Sequence, residues 1–300
     1  MEETMIRELK AWLANRYAPS TQTRYMRGIQ AYLDQVGMDG IQHVKYREIW
    51  SYIGRIRSRG YSQGYVQTEL AAVKIFHSFL VRSGYRTDDP TCDMVLRDSP
   101  SRHAPIQFQD LFSGAELELL LQRPSRYRLL ENRDKLAISF YVRQAMTTGE
   151  ISRILHDHVS WDEGTIFIPG SRKMASRILP LERDQLHWLE GYMTFDRSSL
   201  LGEKESDHLL VGKLGHPASG ESLHYLIESQ RDLFPARTLN PRTIRQSVIV
   251  GWFHEGKGIK DVQWMAGHKF ASTTERYKPK DLGPLSDSVD RFHPLGGSGL

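Results

Sequence analysis

Apolar residues recur at intervals of three and four through residues 1–90, and this pattern narrows the fold more than any other feature. Ile6, Leu9, Trp12 and Leu13 make one stripe, and Tyr25, Ile29, Tyr32 and Leu33 make a second. Ile49, Trp50, Ile53 and Ile56 form a third, and Val66, Leu70, Val73, Phe76 and Leu80 a fourth. Such spacing places the apolar side chains on one face of an α-helix. Gly37, Gly60 and Gly84 follow the last three stripes and mark their ends, while Ser20 and Ser62 stand where N-caps are expected. Amphipathic helices joined by short turns can bury such stripes only against one another, so a four-helix bundle is predicted.

The pattern stops at Asp88-Asp89-Pro90. Residues 93–110, with the run Asp98-Ser-Pro-Ser-Arg-His-Ala-Pro105, carry no helical stripe and are expected to link two domains, 1–92 and 111–300. Ser113-Gly-Ala-Glu116 has the pattern of a capping box at the start of the second domain. Helices are expected at 133–146 and 149–155, then strands at His158-Val-Ser, Thr165–Ile168 and Arg177–Leu181, punctuated by Gly164 and Gly170. More helices are expected at 182–193, 221–231, 241–255, 259–266 and 285–291. The fold class is mainly α: an N-terminal four-helix domain and a C-terminal, mostly helical domain with a small three-stranded antiparallel sheet.

Composition excludes several classes. Hydrophobic residues at 39% and charged residues at 25% fit a globular protein in water. There is no apolar run of about 18 residues or more, so no membrane span is expected. The acidic N-terminus lacks the basic start of a signal peptide. Cys92 is the only cysteine, so no intramolecular disulfide forms and a reducing, cytoplasmic setting is expected. Net charge is +4, and residues 237–280 carry nine Lys or Arg against three Asp or Glu, an excess that suits a polyanionic partner. His156-Asp-His158 has no third metal ligand nearby, and Glu255-Gly-Lys-Gly258 lacks the strand and hydroxyl of a P-loop. No metal and no organic cofactor are expected.

The basic stretch also holds the residues that carry chemistry. Arg242-Thr-Ile-Arg245 is followed by Gly267-His268 and then by Tyr277. A phenol is a poor nucleophile at neutral pH, its unperturbed pKa being about 10. Surrounded by fixed positive charge it becomes suited to attacking a phosphodiester, a reaction catalysed mostly by positioning and charge neutralisation.

These residues resemble the C-terminal signature of the tyrosine recombinases, the phage integrase and Xer-type family, which runs His-x-x-Arg, Gly-His, then Tyr. The likeness extends over nearly the whole chain. Ser20-Thr-Gln-Thr-Arg-Tyr25 and Leu70-Ala-Ala-Val-Lys-Ile-Phe76 are similar to two helices of the family's core-binding domain, and Phe292-His293-Pro294 stands where Xer-type proteins place His-His-Pro. The resemblance implies a site-specific DNA recombinase that cuts and rejoins DNA through a 3′-phosphotyrosine at Tyr277. It implies that Arg245 and His268 hold the phosphate, and that a lysine of the β-hairpin protonates the leaving oxygen. Lys173 is the better match for that lysine and Arg172 the fallback. Double-stranded DNA is the implied partner, gripped by half of a clamp in the first domain. Thr21, Arg24, Arg27 and Lys74 are the expected contacts there, with Arg172 on the hairpin. Four protomers on two sites, or a mixed complex with another recombinase, are the implied assembly, with the helix at 285–291 docking onto a neighbour through Leu285 and Val289.

Two positions depart from the family. Its first catalytic arginine, in Gly-Leu-Arg-x-Ser-Glu, falls on Thr147, and the His of His-x-x-Arg is Arg242. A hydroxyl cannot neutralise a phosphate oxygen as a guanidinium does. Arg143, one turn earlier on the predicted helix face, or Arg242 is expected to supply the missing charge. The alternative is a weak or inactive member that binds DNA within a recombination complex; a topoisomerase-like relaxing enzyme is a third reading.

Overall fold

The computed structural model describes residues 2–38, 40–96 and 106–278. The chain divides into two compact units, Met1–Ala104 and Pro105–Leu300.

Four helices build the first unit among its described residues: α1 (Glu2–Ala14), α2 (Pro19–Val36), α3 (Tyr46–Ser58) and α4 (Gln63–Arg82). Their stripes meet in one core, where Leu9, Leu13, Ile29, Tyr32, Ile49, Ile53, Val73 and Phe76 are fully buried. Ser62 caps α4, its Oγ accepting from Tyr65 N at 3.3 Å. Ser20 does not cap α2. That helix opens one residue earlier on Pro19, whose missing N–H would have no helical partner there, and Ala18 takes the N-cap with no side-chain bond. Gly28 lets α2 and α4 cross closely, since a Cβ there would lie 2.8 Å from Ala72 Cβ. Beyond α4 the chain still belongs to this unit. Arg86 donates to the carbonyls of Ile41 and Val44 at 2.8 Å each and pairs with Asp88, and Met94 and Leu96 are buried in the core.

The second unit opens at the Ser113 capping box, which starts α5 (Gly114–Gln122). Next comes α6 (Glu131–Val142), buried on nearly every side, and the short α7 (Thr148–Ile151). The sheet is antiparallel in the order β1 (Val159–Ser160), β2 (Thr165–Ile168), β3 (Arg177–Pro180), with Val159 opposite Ile166 and Ile168 opposite Arg177. The remaining helices are α8 (Arg183–Gly191), α9 (Arg197–Leu201), α10 (Gly220–Glu228), α11 (Pro241–His254), α12 (Ile259–Ala266) and α13 (Ala271–Glu275).

Several boundaries differ from expectation, and the helix expected at 149–155 is the single turn Thr148–Ile151. The helix expected at 133–146 ends at Val142, because the chain turns out through Ala145 at φ +49°. The helix expected at 182–193 runs on through a π-helical turn, Tyr192–Asp196, into α9; Tyr192 is buried there, its hydroxyl donating to Leu209 O at 3.1 Å. The short α13 was not foreseen. The expected helix at 285–291, with Leu285 and Val289, and the Phe292-His293-Pro294 tail lie outside the described residues.

Candidate active site

α11 begins on Asn240, whose side chain accepts from Thr243 N at 2.9 Å, with Pro241 in the first helical position. That start fixes the phase of the helix and turns Arg245 inward among Ile244, Val248 and Ile249. Arg245 is 7% exposed. One terminal nitrogen, Nη1, donates to the carbonyl of Ala145. The other, Nη2, donates to Ala266 O at 2.6 Å and to His268 Nε2 at 3.0 Å. The outward turn that ends α6 is thus what delivers the Ala145 carbonyl to Arg245. Burial lowers the Arg245 pKa, with Arg177 acting in the same direction against Glu150 and Tyr277.

His268 follows Gly267, which ends α12 in the left-handed region at φ +68°. Because an arginine can only donate, His268 Nε2 must accept, and the ring proton sits on Nδ1, donating to Thr274 Oγ1 at 2.9 Å. The imidazole is held neutral. Burial first, then the charges of Arg245 and Arg177, push its pKa down to about 3. Tyr277 completes the group. Its N–H donates to Thr274 O at 3.0 Å, and its ring lies over His268 with centroids 5.5 Å apart and planes 22° apart. Thr274 therefore holds both the imidazole and the backbone of the phenol.

The connection between β2 and β3 reaches the same corner. Ala175 N donates to Gly267 O at 2.9 Å, Met174 pairs with His268, and Lys269 Nζ donates to Arg172 O at 3.3 Å. Lys173 and Arg172 are exposed on this connection. Arg242 is exposed on the first turn of α11, one turn before Arg245.

Arg143 is not brought to the group. Its guanidinium faces Glu118 at 2.6 Å, Asp184 at 3.2 Å and Glu182 at 3.4 Å. The expectation that it shares a helix face with position 147 fails because the helix stops at Val142. Thr147 instead caps α7: its hydroxyl accepts from Glu150 N at 3.2 Å and donates to Glu150 Oε2 at 2.9 Å.

Sequence reasoning passed over Arg177 as a functional candidate. It pairs with Glu150 at 2.6 Å, and both side chains are fully buried. Burial alone would raise the Glu150 carboxyl, but its guanidinium partner leaves it below its ordinary value. The signal was available: strand alternation puts Arg177 on the inward face with Leu179, where an arginine requires a buried partner.

In the first unit, Arg24 and Arg27 are exposed on α2 and Thr21 is half-buried. Lys74 is not presented outward, its ammonium donating to Met94 O at 3.1 Å. His156 Nδ1 donates to Asp207 O at 3.0 Å, and His158 Nδ1 accepts from Leu155 N at 3.2 Å. Among the described residues no group of three His, Cys, Asp or Glu could hold a metal, and no helix is long and apolar enough to cross a membrane.

Residues 111–282 match the phage integrase family, and residues 9–84 match the phage integrase N-terminal SAM-like domain. The chain is a tyrosine recombinase of the phage integrase family. This recombinase is similar to tyrosine recombinase XerD of Staphylococcus aureus, 25% identical over 298 residues that cover 97% of this chain and 99% of that one. Against tyrosine recombinase XerD of Pseudomonas aeruginosa the identity is 25% over 289 residues, 95% of each chain. Its fold is shared with the XerH site-specific recombinase bound to its difH substrate, at TM-score 0.69 and 14% identity over 97% of this chain and 84% of that one. A lambda integrase dimer bound to a COC′ core site gives TM-score 0.66 at 13% identity, covering 100% of the recombinase and 80% of that chain.

Proposed function

We propose that this recombinase cuts and rejoins duplex DNA at a specific site through a covalent bond between Tyr277 and a 3′-phosphate. The observation that carries the reading is the gathering of Arg245, His268 and Tyr277, from separate stretches of chain, into one contiguous group. A bond forms between Tyr277 Oη and phosphorus as the phenolic proton passes to solvent, the bond from phosphorus to the 5′-oxygen breaks, and that oxygen leaves with a proton from a general acid. Lys173, on the connection that pairs with His268, is the donor we assign. Arg245 holds two non-bridging oxygens of the phosphate, as its planar fork allows. His268 can donate to the same phosphate only in its other neutral tautomer, so the arriving phosphate must draw Arg245 Nη2 away from Nε2, the ring proton must move from Nδ1 to Nε2 by exchange with solvent, and Thr274 Oγ1 must then donate to Nδ1. Arg242 adds positive charge on the exposed first turn of α11. The phosphotyrosine keeps the energy of the broken bond, so rejoining needs no ATP and no cofactor.

DNA is the partner, and a neighbour of this fold, the Tn1549 transposon integrase, has been solved in complex with a circular intermediate DNA. Arg24, Arg27 and Thr21 on α2 and Arg172 on the connection are the backbone contacts we assign; Lys74 joins them only by releasing the Met94 carbonyl. Affinity falls steeply with salt, as phosphate neutralisation requires. Four protomers assemble on two sites in the cytoplasm. The test is a covalent protein–DNA adduct, formed on a supercoiled plasmid library of candidate sites, that survives denaturant in the wild type and disappears in Tyr277→Phe. An adduct absent from both leaves the second reading, a duplex-binding partner with little chemistry of its own, which Thr147 favours. Relaxation of supercoils without a particular site points to topoisomerase-like action instead.

A further inference from the structure

A site that neutralises a phosphodiester with two guanidiniums is one short when Thr147 replaces the first. Glu150 joins position 147 to Arg177: its Oε2 accepts from Thr147 N at 2.8 Å and from Thr147 Oγ1 at 2.9 Å, and its Oε1 accepts from Arg177 Nη1 at 2.6 Å. The other donors of Arg177, Nε and Nη2, are buried and have no hydrogen-bond partner. Leaving buried charged donors unpaired is costly, and such donors are free to take an acceptor brought in by a ligand. Their location says which acceptor. The Arg177 guanidinium lies against Gly267, where a Cβ would come within 2.9 Å of its Cζ, and Gly267 precedes His268. Its charge is felt at both His268 and Arg245, where it acts against a further positive charge. The connection between β2 and β3 covers this corner through Ala175 and Met174, and is held there by the bridge between Met174 and His268, with the hydrogen bond from Ala175 N to Gly267 O beside it, and by Lys269 Nζ donating to Arg172 O.

We propose that Arg177 takes the place of the missing arginine: with DNA bound and the β2–β3 connection lifted from Gly267, its Nε and Nη2 donate to the scissile phosphate beside Arg245. The inference rests on the strand-cutting reading above. Of the other arginines near the site, Arg143 faces three carboxylates, and the charge Arg242 adds from the exposed first turn of α11 is weakened by solvent, so neither matches a buried guanidinium.

The experiment measures single-turnover formation of the denaturant-stable adduct on a nicked duplex. It uses the ordinary phosphate and a neutral methylphosphonate at the scissile position. Wild type, Arg177→Gln, Arg177→Lys, Thr147→Arg and the double variant Thr147→Arg/Arg177→Gln are compared, each checked for folding by circular dichroism. Arg177→Gln is expected to cut the phosphate on the order of 10²-fold more slowly, the loss typical of one transition-state donor. Arg177→Lys falls between the two, and Thr147→Arg restores Arg177→Gln. On methylphosphonate, which has no charge to neutralise, the Arg177→Gln defect shrinks below about tenfold. A defect of equal size on both substrates, or no rescue by Thr147→Arg, makes Arg177 a structural residue and overturns the proposal. Should Arg177→Gln fail to fold, Thr147→Arg decides by itself: a gain of about 10²-fold over wild type means the second cation was absent, and the proposal falls. A silent wild type with an active Thr147→Arg overturns the role of Arg177 while strand cutting stands. Silence of both removes strand cutting, and the role of Arg177 with it.

Discussion

His77 in the first unit and His268 in the second are both buried, and both are held neutral by burial, yet their surroundings differ in kind. His77, on α4, packs edge-on against Tyr32 and Phe76, bonds Tyr32 through Nε2 at 3.1 Å, and leaves Nδ1 with no partner. Its pKa falls to about 4, first from desolvation and then from Arg86. Around His268 both ring nitrogens are committed, a guanidinium donates to one of them, a second guanidinium lies against the preceding residue, and a phenol covers the ring. A buried histidine is therefore no sign of a site in itself. Fixed cations that converge on it beside a nucleophile are.

The largest expected effect separates the two by function. His268→Gln slows adduct formation by about 10²-fold, as loss of one phosphate donor does, while His77→Gln leaves the rate per folded molecule unchanged. Single-turnover cleavage normalised to the folded fraction reads both. Equal losses in the two variants would erase the distinction.

Acid stability should sharpen the comparison next. Both folded pKa values lie below the unfolded value of about 6.5, so below that pH the unfolded chain binds more protons than the folded one and stability falls. For His77 the loss runs from about pH 6.5 to about 4, its folded pKa, with a ceiling on the order of 3 kcal/mol. For His268 it continues to about 3. Urea unfolding at stepped pH, followed by hydrogen exchange in each unit, measures it. His77→Leu flattens the slope in the first unit and leaves the second unchanged; a slope that persists there would show that His77 is not held neutral.

Two glycines make the same contrast at smaller amplitude. Gly84 and Gly267 both sit at positive φ, +75° and +68°. A Cβ on Gly84 meets nothing within 4 Å, so Gly84→Ala costs only the left-handed strain, about 1 kcal/mol. A Cβ on Gly267 meets Arg177 Cζ at 2.9 Å and Ala175 O at 3.2 Å. Gly267→Ala is expected to cost roughly 2–4 kcal/mol and to slow cleavage, because the guanidinium and the connection must both move. Thermal unfolding and the adduct assay give the two readouts, and identical behaviour of the two variants would show that the Gly267 contact carries no constraint.

What the sequence disclosed follows the same division. Periodicity and glycine placement gave the four helices, and motif spacing pointed to Arg245, His268 and Tyr277, which the fold brings into contact. Local patterns failed where tertiary contacts decide geometry. Arg143 and position 147 share a face only if the helix continues, and it ends at Val142 so that Ala145 can offer its carbonyl to Arg245. Ser20 falls inside α2, because Pro19 starts the helix one residue earlier and leaves the N-cap to Ala18. The engagement of Lys74 with Met94 joins residues twenty positions apart and leaves no trace in helix spacing. Arg177 was the exception, since its inward register in β3 could be read from alternation alone.

The smallest effect tests whether the two units cap their helices with equal strength. Ser62 makes one bond to start α4, from Tyr65 N at 3.3 Å. Ser113 starts α5 with a reciprocal box: its Oγ accepts from Glu116 N at 3.3 Å, and Glu116 Oε2 accepts from Ser113 N at 2.8 Å. The Glu116 carboxylate is also gripped by Arg237, whose hydrogen bond pulls its pKa down to about 2. Ser62→Ala removes one exposed backbone partner and should cost about 0.5–1 kcal/mol. Ser113→Ala keeps the backbone donor to Glu116 but, besides the cap acceptor, removes the hydroxyl that donates to Glu116 Oε2 at 3.0 Å, and should cost about 1–2 kcal/mol. Denaturant midpoints of the two variants decide the order. A larger loss at Ser62 would mean that the four-helix unit depends on its caps, rather than on its core, more than the second unit does.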